Sequence, residues 1–224
     1  MSLLPDCRLR ENSHSKASGY VTAPLPELLL FDLGGVLIEV STATLRELGG
    51  RDKSDAELWE IWLTCPVVEE YESGKLGDDE FAAGVLKTFG SAMPAQEFLR
   101  SFAAWPIGFY PGITELLRRL RHDFKLAYLS NSNPLHYQRF QNEWQLDTYF
   151  DYHFASFHMG CVKPQRRIFE LVLERLPFEA KDIFFVDDNR LNVAAARELG
   201  IAAEVARGSS ELMTVLQRRG IVKG

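Results

Sequence analysis

The chain has 224 residues, of which 46% are hydrophobic and 25% are charged, as in an ordinary soluble globular protein with a sizeable core. Its formal net charge of -6 argues against a nucleic acid or an anionic membrane as the partner. Cys7, Cys65 and Cys161 are widely spaced and form no CxxC pair, a pattern typical of reduced thiols in a cytoplasm and not of a zinc site.

Residues 1–26 are polar and lack a hydrophobic period, and we interpret them as a mobile N-terminal extension. Charged residues such as Arg8 and Arg10 stand where a signal peptide would need its apolar stretch, so export is not expected. No apolar run approaches the roughly 18 residues of a membrane span. We therefore expect a cytoplasmic protein.

The first strand is predicted over residues 28–31, four bulky apolar residues that end at Asp32 and two glycines. In open α/β sheets, ligands bind at the carboxyl ends of strands, so such a sheet would present Asp32 to a pocket. Taken alone, the segment fits a turn aspartate before a flexible hairpin equally well.

Residues 39–108 contain helical patterns and no convincing strand. Ser54 and Glu57 have the spacing of a capping box, and an apolar helical stripe follows them. Further helices are predicted from about Asp78 and from about Pro94. We interpret residues 39–108 as a helical cap inserted after the first strand.

Helix and strand patterns alternate in the rest of the chain. Strands are predicted at residues 125–129, 149–155, 183–186 and 202–206. Helices are predicted from Pro111, over 135–144, from Pro164, after 189 and after 206, the last with Ser209 as its cap. This alternation predicts a doubly wound parallel sheet with helices on both faces. The predicted fold class is α/β, with a core formed by residues 27–38 and 109–224.

Residues suited to phosphate chemistry follow the predicted strands. They are Asp32, the pair Ser130 and Asn131, Lys163, and the pair Asp187 and Asp188. Parallel strands bring their carboxyl ends to one edge of the sheet, so these residues are expected to share a pocket. A carboxylate can attack phosphorus and form an aspartyl-phosphate, and Mg²⁺ would relieve the repulsion between the carboxylates and a phosphate dianion.

Each of these residues also has a structural explanation when taken alone. Residues 130–133 can form a turn, Lys163 can be a solvated lysine, and Asp187 with Asp188 can cap the next helix. Their joint occurrence at the ends of predicted strands makes coincidence a poor explanation.

Four segments resemble the signatures of the haloacid dehalogenase-like hydrolases: residues 31–37, 129–133, 163–164 and 186–189. In this order and spacing the set is specific, and the similarity spans about residues 28–207. The chain looks closest to the subgroup with a helical cap after the first strand, which includes sugar-phosphate phosphatases. The resemblance implies a Rossmann-like core, a Mg²⁺ cofactor and a small phosphorylated metabolite as the substrate.

The resemblance also implies a role for each polar residue of the expected phosphate site. Asp32 is expected to be the nucleophile and a metal ligand. Ser130, Asn131 and Lys163 are expected to bind the phosphoryl group, with Lys163 also part of the catalytic machinery.

The metal site implied by the resemblance includes the carbonyl oxygen of Gly34. Asp188 is expected to bind the metal directly, with Asp187 in or near the coordination sphere. We interpret Asn192 as an asparagine on a helix surface rather than as a support for this loop.

The sequence departs from the family pattern at Gly34, where most phosphatases of the family carry a second aspartate as general acid and base. Losing such a group typically costs about 10²–10⁴-fold in rate. The leaving group can be a good one, such as an anomeric sugar phosphate or an acyl phosphate, or the cap or a water can supply the proton. Otherwise the protein binds phosphate with little turnover. We favour the first explanation.

Halide removal from 2-haloacids is the alternative chemistry, because the same nucleophile serves that branch of the family. Dehalogenases usually place a bulky aromatic residue at the position of Gly34 and do not need Mg²⁺, so the phosphatase interpretation is preferred.

The cap contains one cluster of polar residues that either faces the pocket or forms a solvated turn between helices. Its members are Glu69, Tyr71, Glu72 and Lys75, around Ser73 and Gly74. His136 and His158 lie near the phosphate-binding segments and are expected to be structural. The sequence indicates no particular oligomeric state.

Overall fold

The computed structural model describes residues 24–41, 43–49 and 53–223. The mobile extension predicted for residues 1–26 therefore lies outside the described residues, apart from 24–26. The strands are β1 (Leu28–Phe31), β2 (Ile38–Val40), β3 (Pro106–Phe109), β4 (Lys125–Ser130), β5 (Tyr152–Ala155), β6 (Ile183–Asp187) and β7 (Ala202–Val205). Within the described ranges, no helix combines the length and the apolar character that crossing a membrane requires.

The helices divide into a group before β3 and a group after it. The first group is α1 (Ala43–Gly49), α2 (Asp55–Leu63), α3 (Pro66–Glu72), α4 (Asp78–Phe89) and α5 (Ala95–Ala103). The second group is α6 (Ile113–Leu120), α7 (Pro134–Trp144), α8 (Ser156–Met159), α9 (Arg166–Arg175), α10 (Arg190–Glu198) and α11 (Gly208–Arg218). Short 3₁₀ turns at Leu146–Tyr149 and Ala180–Asp182 precede β5 and β6.

The core is a five-stranded sheet in the order β5-β4-β1-β6-β7, and all neighbouring strands are parallel. At the end of β1, Phe31 is level with Tyr128 of β4 and with Val186 of β6. The three central strands therefore end side by side, and the residues that follow them lie at one edge. The prediction of a doubly wound parallel sheet is confirmed.

Two apolar clusters cover the two faces of the sheet. Successive side chains of a strand point to opposite faces, so Leu29 and Phe31 pack with α6 and α11 while Leu28 and Leu30 pack with α9 and α10. Having sheet neighbours on both edges and helices on both faces, β1 is buried along its whole length. The residue after it is therefore carried on the most rigid part of the molecule.

Helices α1–α5 form the inserted helical cap, which has an aromatic core of its own. Tyr71 of α3 stacks on Phe81 of α4 with ring centroids 3.9 Å apart, and Trp62 and Phe102 pack around them. The chain enters and leaves these helices through the antiparallel pair β2 and β3. The sequence predicted no strand within residues 39–108, so this ribbon is a correction. Three- and four-residue strands are too short to show a periodicity.

Two predicted helix starts are wrong by two residues. Pro111 does not lie in the first turn of α6, which begins at Ile113 after Gly112 in a left-handed conformation (φ 81°). Pro164 likewise precedes its helix, because α9 begins at Arg166. In both places a turn separates the proline from the helix.

The predicted capping box of α2 is confirmed, whereas the predicted cap of α11 is wrong. The Ser54 side chain accepts from the N–H of Glu57, and the Glu57 carboxylate accepts from the N–H of Ser54. At α11 the N-cap is Arg207, not Ser209, and the Arg207 N–H donates to the Glu211 carboxylate. The boundaries of the core (27–38 and 109–224) and of the cap (39–108) stay predictions.

Candidate active site

Asp32 extends the edge of the sheet by one residue beyond β1. Its N–H donates to the carbonyl of Val186 at 2.8 Å, so its backbone is held in line with the strand. Its side chain is only 12% exposed, and Oδ1 lies 2.8 Å from Nζ of Lys163. This arrangement excludes the alternative of a solvated turn aspartate.

Lys163 is a buried ammonium whose three N–H groups all have partners. Nζ lies 2.7 Å from Oδ2 of Asp187 and 2.8 Å from Oδ1 of Asp32, and it donates to the carbonyl of Leu129 at 2.9 Å. Burial alone would lower the pKa of Lys163, but the carboxylates of Asp187 and Asp32 outweigh it and the net shift is upward. The group therefore stays charged, and the alternative of a solvated lysine is wrong.

The carboxylates of Asp32, Asp187 and Asp188 meet within 4.8 Å of one another. Burial raises the pKa of Asp32 to about 7, with Lys163 acting in the opposite direction and the two other carboxylates adding to the shift. Burial, followed by the charge of Asp187, also raises the pKa of Asp188. The partly exposed Asp188 has Arg207 at 3.6 Å, so one buried lysine and one rim arginine face three carboxylates. This excess of oxygen ligands fits a hard divalent cation such as Mg²⁺.

Asp187 is fully buried, and both of its oxygens are occupied. Oδ1 accepts from the N–H of Asn189 at 2.8 Å and from Nδ2 of Asn192 at 2.9 Å, and Oδ2 accepts from Asn192 and from Lys163. Asp187 therefore positions Lys163 and the loop, which leaves Asp188 freer to bind a metal. The interpretation of Asn192 as a surface residue is wrong: it is 5% exposed and lies in the first turn of α10, where it supports Asp187.

Two glycines shape the loop after Asp32. Gly35 has a φ of +78°, and a Cβ placed there would lie 2.7 Å from Oδ2 of Asp188. Gly34 is not constrained in this way, because a Cβ placed there would have Cγ2 of Val40 as its nearest neighbour, at 3.4 Å. In the described part of the chain the Gly34 carbonyl accepts no hydrogen bond, so its oxygen is available as the predicted metal ligand.

Ser130 and Asn131 follow β4 at the same edge as Asp32. Ser130 is buried, and its hydroxyl has only a long contact of 3.3 Å with the carbonyl of Asn131. The Asn131 side chain donates to the carbonyl of Lys163 and accepts from its N–H. The side chain of Asn131 therefore positions Lys163. Of the predicted phosphoryl-binding groups of Asn131, only the backbone N–H is left for the substrate.

The end of α3 closes on this edge of the core. The hydroxyl of Ser156, which follows β5, donates to the Glu72 carbonyl at 2.5 Å and accepts from the N–H of Ser132. Gly74 (φ +74°) approaches the carbonyl of Phe157 so closely that a Cβ would lie 2.4 Å from its oxygen. Ser73 is buried and Glu72 is partly buried at this contact, whereas Glu69, Gly74 and Lys75 are exposed, so only part of the turn is withdrawn from solvent. Sequence reasoning missed Ser156, since nothing in its local pattern marks it.

Glu72, the last residue of α3, is partly buried where the cap meets this edge of the core. Burial raises its pKa to about 8, with the charge of Lys163 acting in the opposite direction and that of Asp32 adding to the shift. The upward shift favours the protonated form of the Glu72 carboxyl group.

His136 is structural, as expected. Nε2 lies 2.7 Å from the carbonyl of Phe102 in α5, and Nδ1 lies 3.0 Å from Nδ2 of Asn133. Burial lowers the pKa of His136 to about 4, so the ring is neutral and links α7 to the cap. His158, on α8, is exposed.

Comparisons with known proteins point to a single family. The family model for haloacid dehalogenase-like hydrolases matches residues 26–200. D-ribitol-5-phosphate phosphatase from Bacteroides thetaiotaomicron is 27% identical over 186 residues, covering 77% of this chain and 87% of the relative. A sesquiterpene phosphatase from Aspergillus oryzae is 28% identical over 204 residues, covering 86% and 95%. The magnesium complex of a family enzyme from B. thetaiotaomicron is similar in structure, with a TM-score of 0.69, 25% identity and coverage of 86% and 98%.

Proposed function

The chain belongs to the haloacid dehalogenase-like hydrolases, and we propose that it is a Mg²⁺-dependent phosphatase acting on a small phosphorylated metabolite, such as a sugar phosphate. One observation carries the proposal: the buried Asp32 carboxylate stands between Lys163 and Asp188 at the edge of the sheet where ligands bind. The phosphatase names of two relatives support the same reaction class.

Asp32 is the nucleophile in this mechanism. Its carboxylate oxygen attacks phosphorus, the bond to the leaving oxygen breaks, and an aspartyl-phosphate forms. Lys163 holds the carboxylate in place with a fixed positive charge, and the Ser130 hydroxyl, which has no strong partner, is free to donate to a phosphoryl oxygen. Water then attacks phosphorus and releases inorganic phosphate, which restores the Asp32 carboxylate.

Mg²⁺, when bound by Asp32, Asp188 and the Gly34 carbonyl, would neutralise the repulsion between the carboxylates and the phosphate dianion. In this arrangement Asp187 keeps its hydrogen bonds to Lys163 and to the N–H of Asn189 and is not needed as a metal ligand. The charge of Lys163 that would stabilise the transferred phosphoryl group is therefore in place before the substrate binds.

The substrate is proposed to be small, water-soluble and present in the cytoplasm. The net charge of -6 opposes nucleic-acid and anionic-membrane partners, and the buried free thiols of Cys65 and Cys161 fit a reducing compartment. A leaving group of low pKa, such as that of an anomeric sugar phosphate, would need no proton donor at Gly34.

Hydrolysis of an activated aryl phosphate, with Mg²⁺ or with EDTA, tests the proposal. We expect Mg²⁺-dependent turnover by the wild type and by the exposed control Asp123→Asn, and none above background by Asp32→Asn. A wild type without Mg²⁺-dependent activity, or Asp32→Asn with full activity, would contradict the proposal. Halide release from a 2-haloacid by a wild type that leaves the phosphate ester intact would favour the dehalogenase alternative.

A further inference from the structure

We propose that Glu72, the last residue of α3, donates the proton to the leaving group and then accepts a proton from the attacking water. In this role it replaces the side chain that Gly34 lacks. The inference rests on the proposed phosphatase function and assigns a further residue to the same site.

The backbone of Glu72 is fixed from both sides. Ser156 binds its carbonyl and is itself bound by the N–H of Ser132, so the cap residue is tied to the loop that follows Ser130. On the cap side, the turn after Glu72 is closed by hydrogen bonds from Ser73 and Lys75 back to α3. A residue held in this way has a backbone in a fixed position relative to the core, as an acid–base group requires.

The Glu72 carboxyl group has no partner of its own. In the part of the chain that the structure describes, it makes neither a hydrogen bond nor an ion pair. The charges that act on it are those of Lys163 and Asp32, and its backbone is tied through Ser156 to the loop that follows Ser130, at the edge of the core that carries both residues. A partly buried carboxyl that is not needed to hold the fold together is available to the substrate.

The other charged groups around α3 are occupied or exposed. Glu69 of α3 is bound by Gln165, Asp78 of α4 by the Tyr71 hydroxyl, and Glu57 of α2 by Ser54. Asp55 of α2 pairs with Arg46, and the remaining charged residues of α2, α3, α4 and α8 other than Glu72 are exposed: Glu60, Glu70, Asp79, Glu80, Lys87 and His158. None of these is a competing acid with the same access to Asp32. The assignment therefore falls on Glu72.

The two steps balance with Glu72 in this role. In the first, the bond from the Asp32 oxygen to phosphorus forms as the bond from phosphorus to the leaving oxygen breaks, and that oxygen takes the Glu72 proton. In the second, the Glu72 carboxylate takes a proton from water while the water oxygen attacks phosphorus, and the bond from Asp32 to phosphorus breaks. Both side chains return to their starting states, and inorganic phosphate is released.

The test compares Glu72→Gln with wild type on two substrates in the presence of Mg²⁺. Glutamine keeps the shape and removes the transferable proton, and Glu70→Gln, at an exposed position of the same helix, is the matched control. On a simple alkyl phosphate, we expect turnover by Glu72→Gln to fall by about 10²–10⁴-fold. On an activated aryl phosphate, whose leaving group needs no proton, we expect Glu72→Gln to release one phenol per active site in a rapid burst. Slow turnover should follow, with phosphorylated enzyme accumulating.

A structural role for Glu72 would slow the first turnover of both substrates equally, and that result would overturn the inference. So would unchanged alkyl phosphate turnover by Glu72→Gln, or a wild type that accepts only leaving groups of low pKa. These outcomes leave the proposed function intact. A wild type that does not hydrolyse the aryl phosphate in the presence of Mg²⁺, or Asp32→Asn that does, would instead overturn the proposed function.

Discussion

Asn131 holds the backbone of Lys163 through both ends of its side-chain amide. Nδ2 donates to the Lys163 carbonyl at 3.0 Å, and Oδ1 accepts from the Lys163 N–H at 2.8 Å. The two residues come from different strand ends, so this pair joins the loop after β4 to the segment that carries the buried ammonium.

Replacing Asn131 with alanine should leave two partly buried backbone groups of Lys163 without partners. An unsatisfied buried group costs about 1–3 kcal/mol, and we expect a loss of that order in the free energy of unfolding. The ammonium should also be displaced from Asp32, so kcat on an aryl phosphate should fall. Urea unfolding and steady-state kinetics measure both effects, with the exposed Asn142→Ala as the control. Equal stability and kcat in the two variants would contradict this role.

Adjacent glycines in the loop after Asp32 should respond differently to alanine. Gly35→Ala forces a Cβ against Oδ2 of Asp188 at a positive φ, whereas Gly34→Ala meets nothing closer than 3.4 Å. We expect Gly35→Ala to raise the Mg²⁺ concentration needed for half-maximal activity and to lower stability. Gly34→Ala should stay close to wild type in both. A Mg²⁺ titration of activity tests this pair, and a similar response of the two variants would show that the Gly35 conformation is not needed.

Magnesium should stabilise the folded chain even without substrate, because it relieves the repulsion among three carboxylates. At a concentration about 100 times the Kd, the stabilisation is about 2.7 kcal/mol. Asp188→Asn should lose most of the Mg²⁺-dependent rise in Tm, and its Tm in EDTA should equal or exceed that of wild type, because burial and Asp187 already disfavour the Asp188 anion. Asp123→Asn should keep the full rise. A wild-type Tm that does not change when Mg²⁺ is added would exclude a metal site at these three carboxylates.

His136 should make the contact between cap and core sensitive to acid. Burial lowers its pKa to about 4, below the value of about 6.5 in an unfolded chain, so the unfolded chain binds the extra proton. The contribution of neutral His136 is therefore complete above about pH 6.5 and is lost as the pH falls towards 4, by up to about 3 kcal/mol.

Urea unfolding at pH 7 and at pH 5 measures this effect of His136. We expect His136→Gln to lose much of the difference that wild type shows between the two pH values, while the exposed His158→Gln retains it. The same pH dependence in wild type and in His136→Gln would assign the acid sensitivity to other groups.

The sheet and the residues at its edge could be predicted because their signals are local. The apolar run of β1 is long enough to mark a buried strand, and the sheet order brings Asp32, Ser130 and Asp187 to one edge without any knowledge of side-chain contacts. The short ribbon of β2 and β3 left no such signal, because its pairing depends on where the cap helices begin and end.

The supporting residues of the site could not be predicted, because their roles depend on packing between distant segments. Asn192 reaches Asp187 only because α10 begins directly after the loop, and Ser156 meets Glu72 across 84 positions of sequence. The sequence left open whether the turn after Glu72 faces solvent or the pocket, since its polar residues fit either position. The packing of α3 on α8 withdraws Ser73 and part of Glu72 from solvent and leaves Gly74 and Lys75 exposed.

Asp32 is the residue that receives the phosphoryl group in the proposed mechanism. Wild type mixed with Mg²⁺ and an activated aryl phosphate should be quenched in acid within the first turnover, digested, and analysed by mass spectrometry. We predict one added phosphoryl group on the peptide that contains Asp32, and none in Asp32→Asn. Turnover with the Asp32 peptide unmodified in every quench, or the phosphoryl group on another residue, would contradict the account.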